Sequence, residues 1–159
     1  MKFNPYIIQW NVNGLKTRLR TGEIQRLLEN YNPVAICLQH TNGTIPSIKN
    51  YTLAASSIPN NDDLGTAIYI NNKVTYDQIQ INTSELQISG VKLHLNNSSF
   101  NLFNVYNQPS CNYNLQNLTN ILPNINEDFL LVGDFNAHNP IWIQVSQIMI
   151  QMAQKLKIL

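Results

Sequence analysis

Charge is what this chain has least of. Asp, Glu, Lys and Arg make up 12% of its 159 residues, about half the usual share, and the net charge is +1. No basic field announces nucleic acid, a membrane surface or another polyanion, so any grip on phosphate has to be local. Cysteine is scarce as well. Cys37 lies in an apolar run and Cys111 in a polar stretch, with no metal-ligand spacing, which argues against a disulfide framework and for a reducing compartment. No run of 18 apolar residues occurs, so no membrane helix is expected. The N-terminus enters strand-like sequence without a charged-then-apolar leader, which reads as an intracellular chain of nucleus or cytoplasm. Neither an internal repeat nor a linker divides it, and its length suits one domain with a real core. Asparagine is over-used instead, but the apolar periodicity runs straight through it.

That periodicity orders the chain. Tyr6 to Trp10 reads as a short strand, broken by the turn sequence Asn11-Val12-Asn13-Gly14. Thr21 reads as an N-cap for a helix whose Ile24, Leu27, Leu28 and Tyr31 share one face, closed by Pro33. Val34 to Leu38 is a second buried strand ending in Gln39-His40-Thr41. This unit is a parallel crossover, which brings both strand ends to one sheet edge, where sites form in open α/β sheets. Strands follow at Tyr51–Ala54, Gly65–Ile70, Tyr76–Ile81, Leu86–Leu95 and Phe100–Val105, the last two joined by a four-residue loop, Asn96 to Ser99. Leu115, Leu118, Ile121 and Leu122 form another helical stripe. A fully buried strand from Phe129 to Val132 then stops at Gly133. Beyond Ile141, Val145, Ile148, Met149, Met152, Leu156 and Leu159 mark a helical face that would dock on the core. Helix–strand units around an antiparallel meander imply a mixed α/β sandwich.

Polar residues gather at the strand ends. Asp134, Asn136 and His138 alternate past Gly133, Asn11 and Asn13 follow the first strand, Gln39 and His40 the second, and Tyr106 ends the Phe100 strand. Phosphodiester hydrolysis needs a base for water, a charge to stabilise the oxyanion, and an acid or metal for the leaving oxygen. Asp134 can orient or deprotonate the water, Asn136 can donate to a phosphate oxygen without adding negative charge, and Tyr106 can supply a phenolic proton. Lys16, Arg18 and Arg20 follow the first strand end and are candidates for phosphate contact. His94, in an alternating strand, reads as solvent-facing, and Asp62-Asp63 as loop.

Five segments resemble, in order, the motifs of the endonuclease/exonuclease/phosphatase fold. They are IIQWNVNGL (7–15), VAICLQHT (34–41), GTAIYI (65–70), NVYNQP (104–109) and LLVGDFNAHNPIW (130–142). They are most similar to the apurinic-type endonuclease domain of non-LTR retrotransposons. The resemblance implies a DNase I-like four-layer sandwich of mixed sheets flanked by helices, and Mg²⁺-dependent nicking of target DNA. It implies that Asn11 helps hold metal and phosphate, that Tyr106 lies beside the scissile phosphate, that Asp134 aligns or activates water, and that Asn136 holds the phosphate. His138 stands where the retrotransposon branch often has histidine and is a candidate for DNA contact, like Lys16 and Arg18.

Two departures follow. The family's main metal ligand is a glutamate at the position of His40; Mg²⁺ prefers hard oxygen donors, and an imidazole suits Mn²⁺ or Zn²⁺ better. After Trp142 the family continues to a Ser-Asp-His that this chain lacks. Residues 1–142 are therefore expected to form a partial domain with an incomplete second half, and 143–159 a helical tail outside the family. The expected activity is an impaired Mg²⁺-dependent DNA endonuclease; the alternatives are a catalytically dead remnant that binds nucleic acid weakly, and a phosphatase on small phosphoesters.

Overall fold

Side chains alternate across a strand, so the parity of each apolar position decides which layer it joins. The computed structural model describes residues 6–43, 45–57, 65–83, 86–95, 98–107, 118, 122 and 127–136. Within them β1 (Ile7–Asn11), α1 (Leu15–Arg20), α2 (Glu23–Tyr31) and β2 (Ala35–Gln39) are followed by β3 (Tyr51–Ser57), β4 (Thr66–Asn71) and β5 (Thr75–Ile79). The remaining strands are β6 (Gln87–Leu95), β7 (Ser98–Tyr106) and β8 (Phe129–Asp134). They make two four-stranded sheets, β1-β2-β4-β3 and β5-β6-β7-β8. Both are mixed: β1/β2 and β7/β8 are parallel, and the other pairs antiparallel.

One parity of β2, β4, β6 and β7 fills the space between the sheets: Ala35, Cys37, Ile68, Ile70, Val91, Leu93, Phe100 and Leu102. The opposite parity of the first sheet, Ile36, Leu38, Ala67 and Tyr69, packs under Ile24 and Leu28 of α2 and Leu15 of α1. The outer face of the second sheet, Ile88, Phe103 and Val105, meets Leu118 and Leu122, and the Leu122 N–H donates to the Leu118 carbonyl (3.0 Å). The order is thus helices, sheet, sheet, with Leu118 and Leu122 on the outer face of the second sheet, the α/β sandwich expected from the sequence.

The space between the sheets changes character along the strands. The same inward parity that carries Cys37, Ile68, Val91 and Leu102 continues into Gln39, Thr66, Ser89 and Asn104. These polar side chains answer one another. Gln9 Nε2 donates to Gln39 Oε1 (2.6 Å), Gln39 Nε2 to Asn104 Oδ1 (2.5 Å), and Asn104 Nδ2 to the carbonyls of Leu38 (2.9 Å) and Ala67 (3.1 Å). Thr66 Oγ1 donates to Ser89 Oγ (3.0 Å). Gln39 and Asn104 are fully buried, so each bond matters: a buried polar group left unanswered is costly, while a complete network fixes one arrangement.

Several local expectations need correction. Residues 15–20 form α1, a helix the sequence pattern does not predict, and the cap of α2 is Gly22, in the left-handed region at φ 71°; the Thr21 hydroxyl turns instead to Glu23 Oε1 (2.9 Å). Leu95 pairs with Ser98, so the β6–β7 loop has two residues, not four. β8 is half-buried along its length rather than fully buried, because among the described residues it borders a single strand, β7. Nor does Gly133 stop it. At φ 153° a Cβ on Gly133 would stand 2.0 Å from the Val105 carbonyl oxygen, so glycine is what lets β8 run on to Asp134 against β7. His94 faces solvent as expected, its side chain 36% exposed, and pairs there with exposed Asp77 (Nε2 to Oδ2 2.8 Å) across the β5–β6 pair. Cys111, Asp62, Asp63, Leu115, Ile121, His138 and the expected tail lie outside the described residues.

Removing the buried amide at position 104 takes from Gln39 Nε2 its close acceptor, leaving it the Cys37 carbonyl at 3.4 Å, and takes a side-chain donor from the Leu38 and Ala67 carbonyls. Asn104→Ala is expected to lower unfolding free energy by roughly 2 kcal/mol, measured by urea denaturation; a loss below about 0.5 kcal/mol would mean the network adds little.

Candidate active site at the strand ends

Parallel pairing does the first part of assembling the site. Asn11 lies level with Gln39 at the ends of β1 and β2, and Tyr106 level with Asp134 at the ends of β7 and β8. Packing the sheets face to face then brings these two edges together. Asn11 Nδ2 donates to Asp134 Oδ2 (2.5 Å) across 123 positions of sequence. The His40 ring sits with its centroid 5.8 Å from that of Tyr106, tilted by 33°. Asn11, His40, Tyr106 and Asp134, singled out from the sequence, therefore share one mouth between the sheets.

The loops around them are held by short polar contacts. Past β8, Asn136 turns back at φ 43°, a left-handed conformation asparagine tolerates better than most residues. Its backbone N–H donates to Asp134 Oδ1 (3.1 Å) and its Nδ2 to the Asn107 carbonyl (2.8 Å). Asn107 answers with its own N–H to the Asp134 carbonyl (2.9 Å) and its Nδ2 to the Phe135 carbonyl (3.0 Å). Past β2, His40 also sits in the left-handed region at φ 57°, where a non-glycine residue costs roughly 1–2 kcal/mol. It is held there by Gly14 N–H donating to the His40 carbonyl (2.9 Å) and Thr41 N–H donating to the Gly65 carbonyl (3.3 Å).

The basic candidates separate. Lys16 is exposed on α1. Arg18 is engaged: its Nε donates to the Val12 carbonyl (3.1 Å), its guanidinium lies 5.7 Å from the Trp10 ring centroid, and it pairs with Glu23 (2.9 Å). Gln39, expected only as a strand-end residue, and Asn104 and Asn107, for which the sequence predicts no role, also line the space between the sheets or its mouth. Gln39 and Asn104 fall on inward positions of otherwise apolar strands, and that parity is the signal that could have found them.

Electrostatically the mouth has, among the described residues, one carboxylate and a phenol held neutral. Burial raises the Tyr106 pKa above the ordinary phenol value, and the neighbouring Asp134 charge raises it further. Among the described residues no three His, Cys, Asp or Glu side chains group so as to hold a metal ion. Both Asp134 oxygens already accept hydrogen bonds, Asn11 is a neutral amide, and His40 offers nitrogen. Mg²⁺ takes oxygen donors, typically one or two carboxylates with waters, so this donor set does not fit it.

As the Tyr106 pKa lies above its unfolded value, the neutral phenol's stabilisation is complete at neutral pH and is lost as pH rises through the alkaline range. A tyrosine ring NMR titration should find Tyr106 deprotonating later than an exposed tyrosine, and Asp134→Asn should move it back part of the way. No response to that substitution would remove the Asp134 contribution.

The sequence matches the Endonuclease/Exonuclease/phosphatase family over residues 8–144. A comparison with curated proteins finds no match. Among solved structures, the endonuclease domain of TRAS1, a telomere-specific non-LTR retrotransposon, aligns with TM-score 0.67 and 15% identity, over 96% of this chain and 72% of that one. D. rerio TDP2 complexed with single strand DNA product aligns with TM-score 0.57 and 19% identity, over 88% and 64%. The 3′ phosphatase NExo from Neisseria, bound to product DNA hairpin, aligns with TM-score 0.61 and 16% identity, over 92% and 70%. At such identities the likeness establishes a DNase I-like fold and no more. The family match spans all the strands and the mouth between the sheets, and on that ground the chain belongs to the endonuclease/exonuclease/phosphatase family.

Proposed function

We propose that this chain is the endonuclease domain of a retrotransposon, built to engage DNA at a phosphodiester and impaired in hydrolysing it. The observation that carries the reading is the joining of Asn11 to Asp134 between the sheets, with Tyr106 and His40 beside them. Asp134, oriented by Asn11 and by the Asn136 N–H, aligns the attacking water as a carboxylate. Tyr106, kept protonated by its surroundings, donates to a phosphate oxygen or the leaving oxygen. Asn136 keeps a second amide proton for the phosphate after its bond to the Asn107 carbonyl.

The weak link is charge. Family members are generally divalent-metal dependent, and the metal's work would be to neutralise the charge that grows on the phosphoryl oxygens. The donors around Asp134 and His40 suit Mg²⁺ poorly; Mn²⁺ tolerates nitrogen better. Nothing else in the described mouth supplies a fixed positive charge, and this is why the reading pairs DNA engagement with slow chemistry.

DNA is the proposed partner because TDP2 and NExo are relatives in fold whose structures contain DNA. Exposed Lys16, beside the β1 end, is the proposed phosphate contact, with His138 a second; Arg18 would have to leave Glu23 and Trp10 to join them. Residues 1–142 are proposed as the family part of the chain. No described helix is long and apolar enough to cross a membrane.

Nicking of supercoiled plasmid tests the reading. Wild-type protein is expected to nick slowly in Mn²⁺, above an Asp134→Ala control, and His40→Glu to nick at least roughly tenfold faster than wild type in Mg²⁺; no nicking above Asp134→Ala by either protein in either metal would leave a catalytically dead remnant. Robust Asp134-dependent nicking by the wild type in Mg²⁺ would contradict the impairment. Phosphate release from a small ester without any nicking would favour a phosphatase instead.

A further inference from the structure

The polar side chains on the inward faces of the sheets are almost all accounted for. Gln9, Gln39 and Asn104 bond in series, Thr66 meets Ser89, and Asn11 meets Asp134. Gln87 is different. It opens β6 directly opposite Tyr106, and its parity is that of Ser89, Val91 and Leu93, which face the other sheet. It is 9% exposed, yet its Oε1 finds no hydrogen-bond partner among the described residues. Two further buried oxygens in the same condition adjoin the mouth: Thr41 Oγ1, next to His40, and Asn107 Oδ1, next to Tyr106. A buried acceptor without a donor is a standing cost that folding alone gives no reason to keep.

We infer that Gln87 is a substrate-contacting residue of this site, whose carboxamide accepts a hydrogen bond from a nucleobase N–H on the nucleotide next to the phosphate held by Tyr106. The inference rests on the reading that the mouth takes a DNA strand. The chemistry selects the base. A phosphodiester carries no proton at neutral pH and an internal deoxyribose no hydroxyl, so along a continuous DNA strand the donors are the amino and imino groups of the bases. A carboxamide is the side chain best matched to a base edge, having an acceptor and donors side by side. Tyr106 and Gln87, cross-strand neighbours, would thus hold phosphate and base of one nucleotide.

Two fluorescent single strands of equal length test this by anisotropy: one of ordinary mixed sequence, one in which every base is replaced by an abasic tetrahydrofuran. Wild-type protein should prefer the base-bearing strand. Gln87→Leu should weaken binding of that strand roughly tenfold, about the worth of one well-placed hydrogen bond, and leave the base-free strand unchanged. Its melting temperature should hold or rise, because a buried unsatisfied acceptor has been removed. Gln87→Met, closer in shape, should behave alike. Unchanged binding of the base-bearing strand, equal loss on both strands, or a loss accompanied by a lower melting temperature in both variants would overturn the inference. A wild type that binds neither strand would instead remove the DNA reading beneath it.

Discussion

The contact on which this molecule depends is the amide bridge from Gln39 to Asn104. Two sheets packed by aliphatic side chains alone can slide with little penalty, since volume and hydrophobicity constrain position less sharply than hydrogen-bond geometry does. Asn104 removes that freedom. It accepts from Gln39 and donates to carbonyls of both β2 and β4, so β7 is tied to two strands of the opposite sheet at once. Tyr106 follows two residues later and His40 one residue after Gln39. The position of both rings is therefore set by a contact that belongs to neither.

From that bridge outward, the space between the sheets runs from dry to polar. Cys37, deep in the apolar end, has its thiol pKa pushed far up by burial, which makes it inert packing rather than a nucleophile. At the other end the Asn11–Asp134 contact, the neutral Tyr106 phenol and the unanswered Gln87 acceptor crowd one opening. Left-handed backbone occurs here, as it does at Asn32 and Asn50 at the far end of the first sheet. His40, Asn136 and Gly133 all hold positive φ, and each is fixed by a neighbour that leaves little room for another conformation. Among the described residues the opening holds one carboxylate, Asp134.

Legibility in the sequence followed scale. The strands could be read because short apolar runs bounded by Asn, Gly and Pro have few other interpretations, and the strand-end residues Asn11, His40, Tyr106 and Asp134 because they punctuate those runs. α1 was illegible: LKTRLR offers six residues and no apolar stripe. The continuation of β8 through Gly133 was hidden because Gly-Asp is ordinary turn sequence, and only the closeness of the Val105 carbonyl shows why glycine is required. The bond from Asn11 to Asp134 has no local signal at all across its separation. Asn104 and Gln87 were hidden by identity, as was the inward bonding of Gln39: amides in an asparagine-rich chain look like composition until strand parity turns them inward.

The central claim is that the strand ends assemble a phosphodiester site whose metal carboxylate has been replaced by His40. It is tested most directly by titrating Mg²⁺ into ¹⁵N-labelled protein and following the backbone amides of Asn11, Asn13 and Asn136. The account predicts no saturable shift in the wild type at millimolar Mg²⁺, and a saturable shift at these amides in His40→Glu. Saturation in the wild type at the same concentrations as in the variant would contradict it.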